Sequence, residues 1–220
     1  MKNNSIILYI FLLVTSIPLA LGCSRVIDAL YARKHTILTY PERLGDNERR
    51  RLFLLAVSIF ICGRILLHRT ADATSLFLAL AALLLLMMTA TDFEQHLIFN
   101  ETTAALSLLG LVHAGYLAWN AGTPSVLFVR LFAALAAGVV FFLLALLTRG
   151  GIGGGDVKLM AALGLWLGPD RLLTVSAVGF VLGGLAAFFL LVVKKKSRKA
   201  TFAYGPYFTL TALVVLLTGG

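Results

Sequence analysis

Asp92 and Asp156 are two carboxylates set at the ends of long apolar runs, in a chain of 220 residues of which 13% are charged. Asp156 closes the run Gly150-Gly151-Ile152-Gly153-Gly154-Gly155-Asp156, and Asp92 follows the uncharged stretch from Leu76 to Thr91. An ionisable group placed where it could be buried in a membrane is a functional-site hypothesis by default. Two such groups can perform aspartyl hydrolysis: one carboxylate deprotonates a water while the other, protonated, polarises a scissile carbonyl. Neighbouring like charges cannot both ionise, so such a pair shares a proton and titrates as a unit. The glycines add a mechanical capacity, because backbone without β-carbons takes left-handed or extended conformations and lets an unwound peptide come close.

Residue chemistry alone leaves other readings open. A glycine-rich stretch serves helix packing or a loop as readily as a site, and a single aspartate at a helix end can be a solvated cap or a charge partner. Gly164-Leu165-Trp166-Leu167-Gly168 and Gly179-Phe180-Val181-Leu182-Gly183 have the spacing of small-residue helix contacts. Asp92 and His96 would share one helical face, as in some metal sites, but the four histidines are scattered and no second ligand group is evident, so no metal is expected. Lys158 can support the carboxylates or simply snorkel to the interface, and Tyr116 and Trp119 read as interfacial anchors. A different class of function, an ion- or proton-coupled carrier with Asp156 at a glycine-broken helix, would suit the same residues. Such carriers commonly contain internal repeats, and none relates residues 1–110 to 111–220.

The elements that must position these groups are membrane helices. A 60% hydrophobic chain with so few charges is not an ordinary soluble domain, whose charged fraction is about 25%. Barrel strands would alternate apolar and polar residues, whereas several runs here approach the roughly 20 apolar residues a spanning helix needs. The expected fold is all-α, a single polytopic membrane bundle over residues 1–220 with about eight spans: 5–22, 52–67, 75–91, 102–119, 126–147, 157–168, 172–193 and 203–218. Met1-Lys2-Asn3-Asn4 and the run to Gly22 could be a secretory signal, and Ala20-Leu21-Gly22-Cys23 faintly resembles a lipoprotein cleavage box. The apolar stretch exceeds the about 7 to 15 residues of a signal core, so an uncleaved first span is expected. Cys23 and Cys62 are the two cysteines, too few for a disulfide framework or a four-thiolate zinc site.

A net charge of +9 would suggest nucleic acid as partner in a soluble protein, but here the basic residues lie in short loops, where they set orientation, and the lipid bilayer is the expected surrounding. Alternating spans put residues 23–51, 92–101, 148–158 and 194–201 on one face. All but Lys2, Arg64, Arg69, Arg130 and Arg171 of the 19 Lys and Arg residues then fall on that face, which marks it as cytoplasmic. Asp92 and Asp156 lie on it too. Residues 23–51 are expected as a short basic loop, with Pro41 and Gly45 as breakers, and Lys194-Lys195-Lys196-Ser197-Arg198-Lys199 as a second basic cluster. The sixth span is too short: residues 157–168 make about 18 Å of helix against a hydrocarbon core of about 30 Å, so the glycine loop must dip into the membrane.

Gly153-Gly154-Gly155-Asp156-Val157-Lys158-Leu159 resembles the GxGDxKL signature of the type IV prepilin leader peptidases, which are membrane aspartyl proteases. Asp92 with Leu97-Ile98-Phe99-Asn100 is similar to that family's first-aspartate motif, and Phe202-Ala203-Tyr204-Gly205-Pro206-Tyr207-Phe208 to its FGPF-like segment. The resemblance implies a catalytic pair of Asp92 and Asp156, supported by Gly153, Gly155, Lys158 and Asn100. It implies no cofactor for cleavage, and a substrate that is the precursor of a pilin or pseudopilin, with a short basic leader cut at the cytoplasmic face of the bacterial inner membrane. The basic loops offer such a leader no attraction, so its recognition falls to the aspartates and the glycine loop.

Two departures matter. Many bacterial members carry paired CxxC motifs in the first cytoplasmic loop and also methylate the new N-terminus with S-adenosylmethionine; residues 24–51 contain no cysteine, so cleavage is better supported than methylation. Phe99 stands where the family has proline, which questions the helix break after Asp92. A catalytically silent assembly factor of a pilus or secretion system would fit the same resemblance.

Overall fold

A computed structural model describes residues 2–40, 47–68, 73–148, 151–192 and 204–218. Pro41, Arg43, Gly45, Arg69, Arg149, Gly150, the Lys194–Lys199 cluster, Phe202 and Ala203 lie outside the described residues. Every regular element among the described residues is helical: α1 (Lys2–Arg33), a 3-10 turn (His35–Ile37), α2 (Asn47–His68), α3 (Ala73–Gln95), α4 (Asn100–Asn120), α5 (Ser125–Leu147), α6 (Gly154–Val192) and α7 (Gly205–Thr218). Four of them are long and apolar enough to cross a membrane, namely α3, α4, α5 and α6 over Gly154–Phe189. The protein is thus an all-helical, multi-pass membrane protein, with seven described helices where eight spans were expected.

The difference arises partly in α6. The expected sixth and seventh spans are two helical segments, counted together as α6, that meet at a kink at Gly168, whose φ of 70° and ψ of −179° are not helical, followed by Pro169. Proline cannot donate to the preceding turn, and a residue at that φ and ψ has to be glycine to avoid a β-carbon clash. Gly168 was expected to be a packing contact; it faces open space, and its role is the bend. The side chain of Arg130 on α5 donates to the Trp166 carbonyl and, at 2.9 Å, to the Leu165 carbonyl. It therefore caps the carbonyl end of the first segment of α6, a position where a cation is favourable. Gly168→Ala should cost about 1–3 kcal/mol through backbone strain alone. Thermal unfolding of the detergent-solubilised protein checks this, and an unchanged midpoint would contradict it.

Residues 23–51, expected as a loop, are helical at both ends: α1 continues to Arg33, and α2 begins at Asn47. The extension of α1 carries buried Ile27 and Tyr31, which gives it a packed face beyond the apolar run. In α3 the residues from Leu85 to Asp92 are buried on all sides, as a helix in the middle of a bundle must be. On one side Leu78, Ala81, Leu85 and Met88 join a core with α4, α5, α6 and α7; on the other Ala82, Leu86, Met87 and Ala90 join a core with α1 and α2. Helix α7 serves both cores through Phe208 and Ala212 on one side and Leu213 and Leu217 on the other. Together α3 and α7 form the central wall.

Small residues set how closely the helices approach. A β-carbon on Gly164 would run into the α5 backbone at Ala133 and Ala134, and β-carbons on Gly179 and Gly183 would overlap the rings of Phe208 on α7 and of Tyr204 just before it. These three positions carry the packing role expected of them. The outer sides of α5 and α6 are apolar and exposed, with Phe128, Phe132, Leu135, Leu146, Leu173, Leu185 and Phe188 among them. Such an apolar surface suits lipid. Trp119 is also exposed, while Tyr116 packs against Phe77 with ring centroids 5.8 Å apart.

Candidate active site

Asp92 sits in the last turn of α3 and Asp156 in the first turn of α6. Asp92 is 5% exposed and Asp156 8%, so both carboxylates are buried at the same end of the bundle. Helix α3 runs past the expected end of its span to Gln95 and stops where His96 takes a φ of +51°, its N–H bonded to the Asp92 carbonyl at 2.9 Å. A left-handed residue of this kind is the usual way a helix is closed. Leu97 to Phe99 then lead into α4, with Phe99 extended at φ −72° and ψ 139°. The break after Asp92 therefore forms without proline. Phe99 is 1% exposed, its ring 5.8 Å from that of Tyr31, and its carbonyl accepts the hydroxyls of Thr102 at 2.9 Å and Thr103 at 3.0 Å.

The break returns Ile98 to the bundle between the two carboxylate-bearing segments. A β-carbon on Gly155 would lie 3.1 Å from Ile98 Cβ, and one on Gly205 would lie 3.0 Å from Ile98 Cδ1. Gly205 opens α7, and its missing side chain is where Asp92 Oδ2 rests; a β-carbon there would overlap that oxygen. Ile98 thus wedges the glycine before Asp156 against the glycine beside Asp92. The two carboxylates are close enough to interact electrostatically.

The groups around each carboxylate differ. Asp156 Oδ2 accepts the backbone N–H of Gly153 at 3.2 Å, which folds the glycine loop over its own aspartate and sets the orientation of the carboxylate. Asp92 Oδ2 is buried without a hydrogen-bond partner among the described residues. A buried polar atom left unpaired is costly unless something occupies the space before it, and reactive groups are a recognised exception. Lys158, for which support of the carboxylates and snorkelling were both open, donates to Asn100 Oδ1 at 2.9 Å, so the two residues link the starts of α6 and α4. Among the described residues no group of three His, Cys, Asp or Glu side chains is close enough to hold a metal ion.

Beneath Asp92 a pair of hydroxyls joins α3 to α7. Thr89 Oγ1 donates to Thr209 Oγ1 at 2.7 Å, and Thr209 in turn reaches the carbonyls of Gly205 at 3.0 Å and Pro206 at 3.1 Å. The start of α7 is thereby tied to the turn of α3 that precedes Asp92. Thr89→Val and Thr209→Val should each cost about 1 kcal/mol, and the double variant should show a coupling of about 0.5–1 kcal/mol. A double-mutant cycle of unfolding midpoints measures that coupling; strict additivity would mean the hydroxyls do not act together.

Three features escaped the sequence reading. Gly205 lay within a quoted motif, yet its contact with Asp92 depends on α7 docking on α3. Arg50 is 4% exposed and pairs with Asp28 and with Glu94, and the side chain of Gln95, fully buried, exchanges two hydrogen bonds with the Tyr40 backbone. A charge adjoining an apolar run, as Arg50 is, gives only a weak signal of burial.

A sequence model of the type IV leader peptidase family matches residues 78–190, a stretch that includes both aspartates. The chain is similar to proteins named prepilin leader peptidase/N-methyltransferase. That of Pseudomonas aeruginosa is 32% identical over 140 residues, covering 61% of this chain and 47% of the relative. That of Xanthomonas campestris is 29% identical over 136 residues, with the same two shares. That of Legionella pneumophila is 29% identical over 153 residues, covering 66% of this chain and 50% of the relative. The chain spans about half the length of these curated relatives. No solved structure matches it.

Proposed function

Because the chain belongs to the type IV leader peptidase family, we propose that it is a membrane aspartyl endopeptidase which removes the short basic leader of prepilin or pseudopilin precursors at the cytoplasmic face of the bacterial inner membrane. The observation that carries this reading is the convergence, at one end of the bundle, of two buried carboxylates from different helices with glycines beside both.

Asp92 and Asp156 are the catalytic pair. With one proton between them, one carboxylate takes a proton from water as its oxygen attacks the scissile carbonyl carbon, and the other donates its proton to the carbonyl oxygen. The tetrahedral intermediate collapses as the C–N bond breaks: the carboxylate that had acted as acid takes a proton back from one hydroxyl so that the carbonyl re-forms, and the leaving amine receives a proton from the carboxyl that had acted as base. The products are a leader ending in a carboxylic acid and a mature chain with a free amine. The Gly153 N–H orients Asp156 through this cycle. Gly153 and Gly205 keep side chains away from the carboxylates, which leaves room for an extended peptide.

The proposal extends to cleavage and not to N-methylation, because residues 24–51 contain no cysteine for the zinc-binding insertion. Co-expression with a prepilin, followed by gel analysis and a mass measurement of the product's N-terminus, tests both statements. A shortened, unmethylated product is expected. No shortening of any prepilin or pseudopilin in cells that contain the intact protein would overturn the proposed activity, and ion-dependent solute uptake by proteoliposomes would then favour a carrier.

A further inference from the structure

The family match begins at residue 78, so it assigns nothing to α1, α2 or the segment between them. A buried cluster around Arg50 joins these elements to the catalytic helix. Arg50 is 4% exposed, while Arg49 and Arg51 beside it are exposed. Its guanidinium donates to the Asp28 carboxylate of α1, to Glu94 Oε2 of α3 at 3.1 Å, and to Ser24 Oγ from Nε at 3.4 Å and Nη2 at 3.3 Å. It also lies over the Tyr31 ring, 5.7 Å from the centroid, and the Tyr31 hydroxyl donates to the same Glu94 Oε2 at 2.8 Å. One residue further along α3, Gln95 Oε1 accepts the Tyr40 N–H at 2.8 Å and Gln95 Nε2 donates to the Tyr40 carbonyl at 2.9 Å.

The position of these contacts gives them their meaning. Glu94 and Gln95 are two and three residues beyond Asp92, in the turn that ends at His96. The last turn of a helix has lost part of its own hydrogen bonding, so its rotation depends on outside partners. Here those partners come from α1, α2 and the residues between them. The cluster is also costly, since a buried guanidinium must be fully paired, and an apolar side chain could fill the space without that requirement. A planar fork that engages Asp28, Glu94 and Ser24 at once defines a geometry that a point charge does not.

We infer that Arg50 is a positioning residue for peptide cleavage: by holding Glu94, it sets the rotation of the last turn of α3 and aims Asp92 toward Asp156. The inference rests on the proposed peptidase activity. It assigns the α1–α2 pair a part in catalysis that does not involve touching the substrate.

The test uses the full-length protein in detergent and a purified prepilin, with rates expressed per monodisperse enzyme. The variants are Arg50→Lys, Arg50→Met, Glu94→Gln and Arg50→Met/Glu94→Gln, with Asp92→Asn as the inactive reference. Arg50→Lys and Glu94→Gln should each lower kcat by roughly tenfold or more while KM stays within about twofold, the signature of a misaimed group in a folded enzyme. The double variant should be no slower than Arg50→Met, because both changes break one link.

Unchanged kcat in Arg50→Lys and Glu94→Gln would overturn the inference, as would a raised KM with unchanged kcat, which would mark a substrate contact. A loss of monodisperse protein with normal kcat in the remainder would reduce Arg50 to a structural role. If Arg50→Met does not fold, the two milder variants still decide. Absence of cleavage by the wild type overturns the peptidase reading and the inference with it; cleavage that needs Asp92 but ignores Arg50 and Glu94 overturns the inference alone.

Discussion

Asp92→Asn and Asp156→Asn should each reduce prepilin cleavage by about 10²- to 10⁴-fold, the usual worth of a positioned acid or base. Asparagine keeps the size of the side chain and removes its ability to take up and return a proton. Both positions are buried, at 5% and 8% exposure, so a neutral amide adds no new charge to accommodate and the protein should remain folded. The double variant should be no slower than the worse single one, because groups that act as a unit are lost as a unit. Initial rates of the precursor-to-product shift on a gel provide the measurement. Either single variant processing at the wild-type rate would remove that aspartate from the mechanism.

Gly205→Ala should cost about 10²-fold in kcat, although residue 205 contributes no reacting atom, since a displacement of about 1 Å at a catalytic group has that effect. The added methyl would overlap Asp92 Oδ2 and sit 3.0 Å from Asp92 Cγ and from Ile98 Cδ1. Either the carboxylate turns away or α7 moves back, and the Thr89–Thr209 bond opposes the second. Gly155→Ala should be milder, since its β-carbon meets the Ile98 side chain at 3.1 Å and not a carboxylate. Gly154→Ala should be close to wild type, because an added β-carbon would meet no side chain among the described residues within 4 Å. Rates on one prepilin for the three variants check that order. Equal effects at 205 and 154 would show that the glycines serve chain flexibility and not clearance around Asp92.

The helices were largely legible in the sequence, and the exceptions share a cause. The expected spans at 102–119 and 126–147 correspond to α4 and α5 with ends shifted by two residues or fewer. Helix α3 runs to Gln95 because Glu94 and Gln95, polar residues that read as the start of a loop, are satisfied by Arg50, Tyr31 and Tyr40. Helix α1 runs to Arg33 for a similar reason, with Asp28 and Ser24 paired to Arg50. Proline at position 99 proved dispensable because His96 closes the helix and Phe99 is anchored by burial.

The sequence by itself determined that the chain is a helical membrane protein, which residues carry carboxylates at span ends, and which family motifs they belong to. These follow from local quantities: the length of apolar runs, the position of charges, and the spacing of a few glycines and aspartates. Only the tertiary structure decided that Gly205 is the glycine against Asp92, that Lys158 pairs with Asn100, and that a buried arginine pairs with Glu94 in the last turn of α3. Such pairs are far apart along the chain, 44 positions for Arg50 and Glu94 and 120 for Thr89 and Thr209. Their meeting depends on how each helix is rotated about its axis. In α3, buried all round from Leu85 to Asp92, no stripe of polar residues records that rotation, so packing against α7 and the Arg50 cluster must set it.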